Sequence, residues 1–158
     1  MAVDFYLELN GITGESEVAA FKGQIQVQSY SFGGTNVSSV GTNGGSGAGK
    51  VNLGPLTITK HADSASGPLF LDMCKGTHIP KGMLSLVKSG GGSTAYITLE
   101  MTEVFVAGFT SSATGEVPVE TVHLTYKSIL YTYKAQAADG TLSTKAPAGW
   151  DVVSNKAV

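Results

Sequence analysis

VETVHLTYKSILYTYKA, residues 119–135, alternates apolar with polar side chains but changes parity part-way along. On an extended chain Val122, Leu124 and Tyr126 share one face, while Ile129, Tyr131 and Tyr133 fall on the opposite parity. A period of two marks a half-buried strand, and a shift of one residue turns every later side chain to the other face. The switch near Lys127–Ser128 therefore predicts a bulge, or a strand buried on both faces. The same period recurs elsewhere. In AVDFYLELN (2–10), Val3, Phe5, Leu7 and Leu9 oppose Asp4, Tyr6 and Glu8. In FKGQIQVQSYSF (21–32), Phe21, Ile25 and Val27 oppose Lys22, Gln24, Gln26 and Gln28. TAYITLEMTEVFVAGF (94–109) is long enough for one extended, bent strand.

DSASGPLFLDMCKG (63–76) breaks this period. Leu69, Phe70, Met73 and Cys74 recur at helical spacing, Asp63 or Ser64 suits an N-cap, Pro68 fits only a first turn, and Gly76 supplies a stop. The pattern predicts one short helix over about residues 64–75, packing those four side chains on the strands. Phe70 is expected to be buried, and Cys74 to be a buried structural thiol. The fold class is mainly β, a compact barrel of antiparallel strands with this helix laid against it.

The chain has 158 residues, which predicts a single domain able to fold without metal or disulfide. Cys74 is the only cysteine, in keeping with a reducing compartment. Charged residues make up 14%, with Gly, Ser and Thr in their place, so the surface is cheap to desolvate and suits repeated protein contact. All ten basic residues are lysines and the net charge is −2, which argues against a nucleic-acid partner. The first fifteen residues do not read as a signal peptide, and no apolar run has the length of a membrane span, so membrane insertion is not expected.

GGSGAGKV (44–51) matches a phosphate-binding loop at Gly44, Gly49 and Lys50. Its context does not. A working loop follows a buried strand, opens a helix, and needs a hydroxyl where Val51 stands. The expected reading is a flexible glycine-rich loop over 33–50, with seven glycines in eighteen residues, projecting from the domain and docking on something. Gly33, Gly34, Val37, Val40, Asn43, Gly44, Gly45 and Lys50 are its candidate assembly residues.

No catalytic, cofactor or metal site is expected. Cys74 and His78 are four apart, but Gly76 between them ends the helix, and no second cysteine completes a metal set. His61 and His123 read as ordinary polar positions. Glu100 and Glu103 have opposite parity, and Glu116 and Glu120 flank a Pro-containing turn, so no converging carboxylate pair supports an enzyme.

DFYLELNGITGES (4–16) followed by FKGQIQVQSYSFG (21–33) resembles the start of the Hcp family, the tube-forming proteins of bacterial type VI secretion systems. KHADSASGPLFLDMCKGTHI (60–79) resembles the family's strand–helix–turn, with Lys60, Asp63, Ser66, Pro68, Cys74, Gly76 and His78 in order, although Gly67 separates Ser66 from Pro68. PVETVHLTYKSILYTYKAQAADG (118–140) and GWDVVSN (149–155), around Trp150, extend the likeness over nearly the whole chain.

The resemblance implies a β-barrel with a flanking helix that forms a hexameric ring. Rings would stack into a tube inside a contractile sheath, tipped by a trimeric spike protein (VgrG), and hold small effector proteins in the lumen. It also implies assembly in the cytoplasm, then secretion without a signal peptide. The rival expectation is a monomeric small-ligand-binding barrel, which would need an empty interior and a mouth flanked by loops.

Overall fold

A computed structural model describes residues 2–39, 47–89 and 94–158. β1 (Val3–Leu9) runs through a 3-10 turn (Ala19–Phe21) into β2 (Ile25–Val27) and β3 (Ser29–Ser31). β4 (Gly34–Ser39), β5 (Gly47–Leu53) and β6 (Leu56–His61) precede α1 (Ser66–Lys75). β7 (Ile79–Lys88), β8 (Ile97–Ser112) and β9 (Val119–Thr125) follow. β10 (Ser128–Gln136), β11 (Leu142–Asp151) and β12 (Lys156–Ala157) complete the chain. Every strand pair is antiparallel.

β8 organises the sheets. Its first half lies between β7 and β10, and its second half pairs with β9 across a bulge between Val106 and Gly108. β9 and β10 together form the antiparallel partner of β8, interrupted at Tyr126–Lys127. The expected break near Lys127–Ser128 therefore appears as a corner. Glu120, Val122 and Leu124 point inward before it, and Ile129 after it. Tyr131 and Tyr133 share the parity of Ile129 but are partly exposed, at 38% and 43%, so full burial stops short of the end of β10.

The strand path does not close as one continuous barrel. β1 pairs with β2, whereas β3, one residue on, pairs with β6 in the other half of the molecule. The Gln28 N–H, donating to the Thr59 carbonyl at 2.8 Å, spans the corner. Inside, Leu7, Ile25, Leu56, Ile58, Leu84, Leu99, Met101, Val122 and Leu124 have no measurable exposure. Each such side chain contributes about 1.5–3 kcal/mol through burial. A second, smaller cluster covers the outer face of β1 and β7: Tyr6 stacks on Phe21 at 4.6 Å, beside Val87 and Ala95. Tyr6, expected on the polar face, is thus buried, and the central strands are covered on both sides.

Candidate assembly surfaces

The strongest polar feature lies inside. Lys60 on β6 and Glu120 on β9 are cross-strand partners whose side chains both face the core. The Lys60 Nζ is fully buried and stands 2.6 Å from Glu120 Oε1 and 2.8 Å from Asp63 Oδ1. It also donates to the His61 carbonyl at 2.9 Å and to Ser66 Oγ at 3.2 Å. Ser66 Oγ donates in turn to Glu120 Oε1 at 2.7 Å and accepts from the Asp63 N–H at 2.9 Å. A buried ammonium is tolerated only with such a full set of acceptors. The network joins the first residue of α1 to two strands and so fixes where the helix starts.

The helix start differs in detail from expectation. The N-cap position is Ala65, without a side-chain cap. Asp63 Oδ1 instead accepts the Ala65 N–H at 2.9 Å, and Ser64 Oγ donates away to the Thr13 carbonyl. Gly76 ends the helix in the left-handed region, φ 66°, as the stop signal requires.

Of the four side chains expected to pack, Leu69 is fully buried and Met73 rests on the core. Phe70 and Cys74 are corrections: Phe70 is 52% exposed and Cys74 is an exposed free thiol. The reason is azimuth. At about 100° per residue, Met73 lies roughly 40° round the helix from Leu69, whereas Phe70 and Cys74 lie roughly 100° and 140° away. Phe70 leans edge-on against Phe109 of β8 at 6.1 Å, and Leu71 beside it is also exposed, leaving an apolar flank on the surface.

The glycine-rich stretch is largely a hairpin rather than a loop. β4 and β5 pair only with each other among the described residues, with a register shift at Val37. Gly49 faces that shift, where a Cβ would stand 1.9 Å from the Val37 carbonyl oxygen, so only glycine fits. Val37 is 81% exposed, Gly33 and Gly34 are exposed, and Lys50 lies exposed on β5. Val40, Asn43, Gly44 and Gly45 fall outside the described residues. Because Gly49, Lys50 and Val51 sit within a strand, with another strand following, the described part of the phosphate-loop match has no helix N-terminus to offer.

The hairpin is the outer half of a longer ribbon. Ser31 pairs with Thr57, and three residues on Gly34 pairs with Leu53, four residues back on the other strand, with the Gly54 N–H donating to the Gly33 carbonyl at 2.9 Å between them. The Tyr126 hydroxyl, at the β9–β10 corner, donates to the Gly54 carbonyl at 2.8 Å, and burial pushes its pKa up to about 12. Burial also raises Tyr30, with smaller contributions from Tyr131 and Tyr96.

The histidines are engaged separately. His61 Nε2 meets Gln28 Nε2 at 2.6 Å, His123 Nδ1 bonds Thr57 Oγ1 at 2.8 Å, and His78 packs edge-on against Phe105. Among the described residues no group of three or more His, Cys, Asp or Glu is arranged to hold a metal. A ligand-barrel interior would be hollow, whereas here the inward positions are packed aliphatic side chains. The larger clefts open at the surface. One of about 350 Å³ is lined by Asp4, Glu15, His61 and Asp63, among others.

Similarity to known proteins covers nearly the whole chain. The family model described as "Type VI secretion system effector, Hcp" matches residues 6–133. The protein hcp1 of Pseudomonas aeruginosa is 30% identical over 159 residues, covering 98% of each chain. A solved type six secretion system protein superposes with a TM-score of 0.94 at 27% identity, covering 99% of this chain and 100% of that one. The crystal structure of Hcp1 from Salmonella typhimurium gives a TM-score of 0.80, also at 27% identity, with the same coverage.

Proposed function

The chain belongs to the Hcp family of type VI secretion proteins, and from that premise we propose that it is the ring subunit of an exported tube. Six copies form a ring, rings stack, and the tube is driven out by a contractile sheath behind a spike, carrying small effector proteins in its lumen. Its role is mechanical and carrier-like rather than enzymatic. The observation that carries this reading is the two-way, end-to-end similarity to hcp1, which leaves little of either chain unmatched.

The surface supports it. A ring needs a heterologous interface whose rotation closes, and a stack needs a second one. Exposed apolar side chains lie in separate parts of the fold: Phe70 and Leu71 on α1, Tyr131 and Tyr133 on β10, Val153 and Val158 near the C-terminus. Apolar side chains in several such places suit more than one contact surface. Ring–ring contacts that are weak singly become strong when repeated round a ring.

Within this role the segment 33–50, of which β4 and the start of β5 are the described part, docks on the adjacent subunit or the next ring. An isolated two-stranded ribbon is marginal in water and gains from being covered. Glycine loses the most backbone freedom on ordering, so contacts made in assembly must offset that cost.

Two experiments test the reading. Export of the tagged chain into the medium is expected from cells with an intact contractile sheath and not from sheath-deficient cells; equal export from both contradicts it. Shortening Thr42–Ala48 to two residues removes Gly47 and Ala48 from the start of β5, and is expected to shorten the hairpin and spare the rest of the fold, but to weaken stacking and export. Normal stacking and export of the shortened chain would remove the ribbon from the account.

A further inference from the structure

We propose that neighbouring copies join in the ring through a charged seam: Lys145 of one copy enters the acidic cleft between Asp4 and Glu15 of the next. The inference rests on the ring reading and names the surfaces that meet in it. The longer sheet has β2 at one end and β11 at the other, with β12 covering only Trp150 and Asp151 of β11. Val27, Phe5, Leu86, Ile97, Tyr133 and Lys145 are successive cross-strand partners from β2 to β11. Val27 and Phe5 line the cleft. The cleft and Lys145 therefore stand at opposite ends of one row. At about 4.8 Å per strand the row runs roughly 24 Å along the sheet, beyond the reach of Lys145 to the cleft of its own chain. A ring is generated by rotation without translation, so with its axis along the strands the two ends of a row meet across each interface.

The two ends differ in charge. Residues 2–28 carry Asp4, Glu8, Glu15 and Glu17 against Lys22, a side-chain charge of −3. Residues 126–158 carry Lys127, Lys134, Lys145 and Lys156 against Asp139 and Asp151, a side-chain charge of +2. Little of this is neutralised within the chain, since among the described residues both ion pairs belong to Lys60. The cleft, of about 350 Å³, has no lysine in its lining. Its Asp63 is taken by Lys60, and Asp4 accepts from the Ser89 hydroxyl at 2.9 Å, which leaves the negative charges of Asp4 and Glu15 facing an exposed cleft. Phe5 and Val27 beside them offer apolar wall to the stem of a lysine.

The edges themselves favour side-chain contact over an added strand. Next to β2 the Ser16 N–H already donates to the Gln24 carbonyl at 3.0 Å. On β11 Pro147 has no N–H to give, and Ala146 beside Lys145 takes a φ of 30° where the register with β10 shifts. Proline and a bulge are devices that keep an edge from pairing with another strand. Lys145 itself is exposed.

Sedimentation velocity on the full chain tests the seam by charge reversal. Lys145→Glu and Glu15→Lys each place like charges at every interface of the ring. Each is expected to raise the chain concentration needed for half-assembly about fivefold, the upper end for an exposed ion pair. Mixed one to one, the two variants are expected to regain wild-type assembly, because a ring that alternates them brings opposite charges together at every interface. That rescue also shows both variants to be folded. If either variant assembles as the wild type does, or mixing fails to restore assembly, the seam is overturned while the ring stands. A wild-type chain that stays monomeric overturns the ring itself, and the seam with it.

Discussion

At Lys60 a fully buried ammonium faces two carboxylates, Glu120 and Asp63, within 2.8 Å. Removing the cation leaves those carboxylates crowded together, one of them deep in the core, so Lys60→Met is expected to cost about 3–5 kcal/mol. Urea denaturation measures this. Lys60→Met combined with Glu120→Leu is expected to cost clearly less than the sum of the single changes, since an apolar pair of similar volume tolerates the site. Additive costs would mean that the two side chains do not act as a unit. Tyr126 supplies a pH signature. Its pKa rises from the ordinary 10.0 to about 12 on folding. A raised value means that the contribution is complete below about pH 10 and is lost as pH climbs through 12. Tyrosinate absorbance should show a phenol titrating near pH 12 that is missing in Tyr126→Phe, and stability between pH 10 and 12 should fall less steeply in that variant.

Among the elements, α1 separates what the sequence makes legible from what it hides. Its existence and stop follow from local signals, Pro68 in the first turn and Gly76 after Lys75. Its buried face does not, because ten residues with apolar side chains at 69, 70, 71, 73 and 74 cover most of the helix circumference. Leu69→Ala is expected to cost about 2–5 kcal/mol, and Phe70→Ala less than about 1 kcal/mol in the dilute chain, both by urea denaturation. The reverse ranking would mean the helix is rotated. The strands were legible where one face is wetter, as in β9. Tyr6 escaped because Phe21 covers it from a 3-10 turn distant in sequence. The Lys60–Glu120 pair escaped because its members stand 60 residues apart. A signal was nevertheless there: Lys60 shares parity with Leu56 and Ile58, and Glu120 with Val122 and Leu124. A charge at an inward position on each of two strands calls for a partner. The hairpin was hidden for a different reason: glycine has low strand propensity, and Gly49 is required by the close approach of Val37 rather than by a turn.

As a ring subunit, the whole molecule is expected to join copies of itself through an interface whose rotation closes. The fold needs no partner for its interior, since its core is filled, and what remains unexplained within one chain is on the outside. The exposed apolar flank of α1, the uncovered ribbon and the apolar C-terminal residues are each costly to leave in water yet small enough to keep a monomer soluble. A surface with 14% charged residues lowers the desolvation cost of joining them to further copies. Sedimentation velocity on the full-length chain at micromolar concentration tests this most directly. A dominant species of six chains, with larger stacked forms appearing as concentration rises, is the expected result; a single monomeric boundary throughout that range would contradict the account.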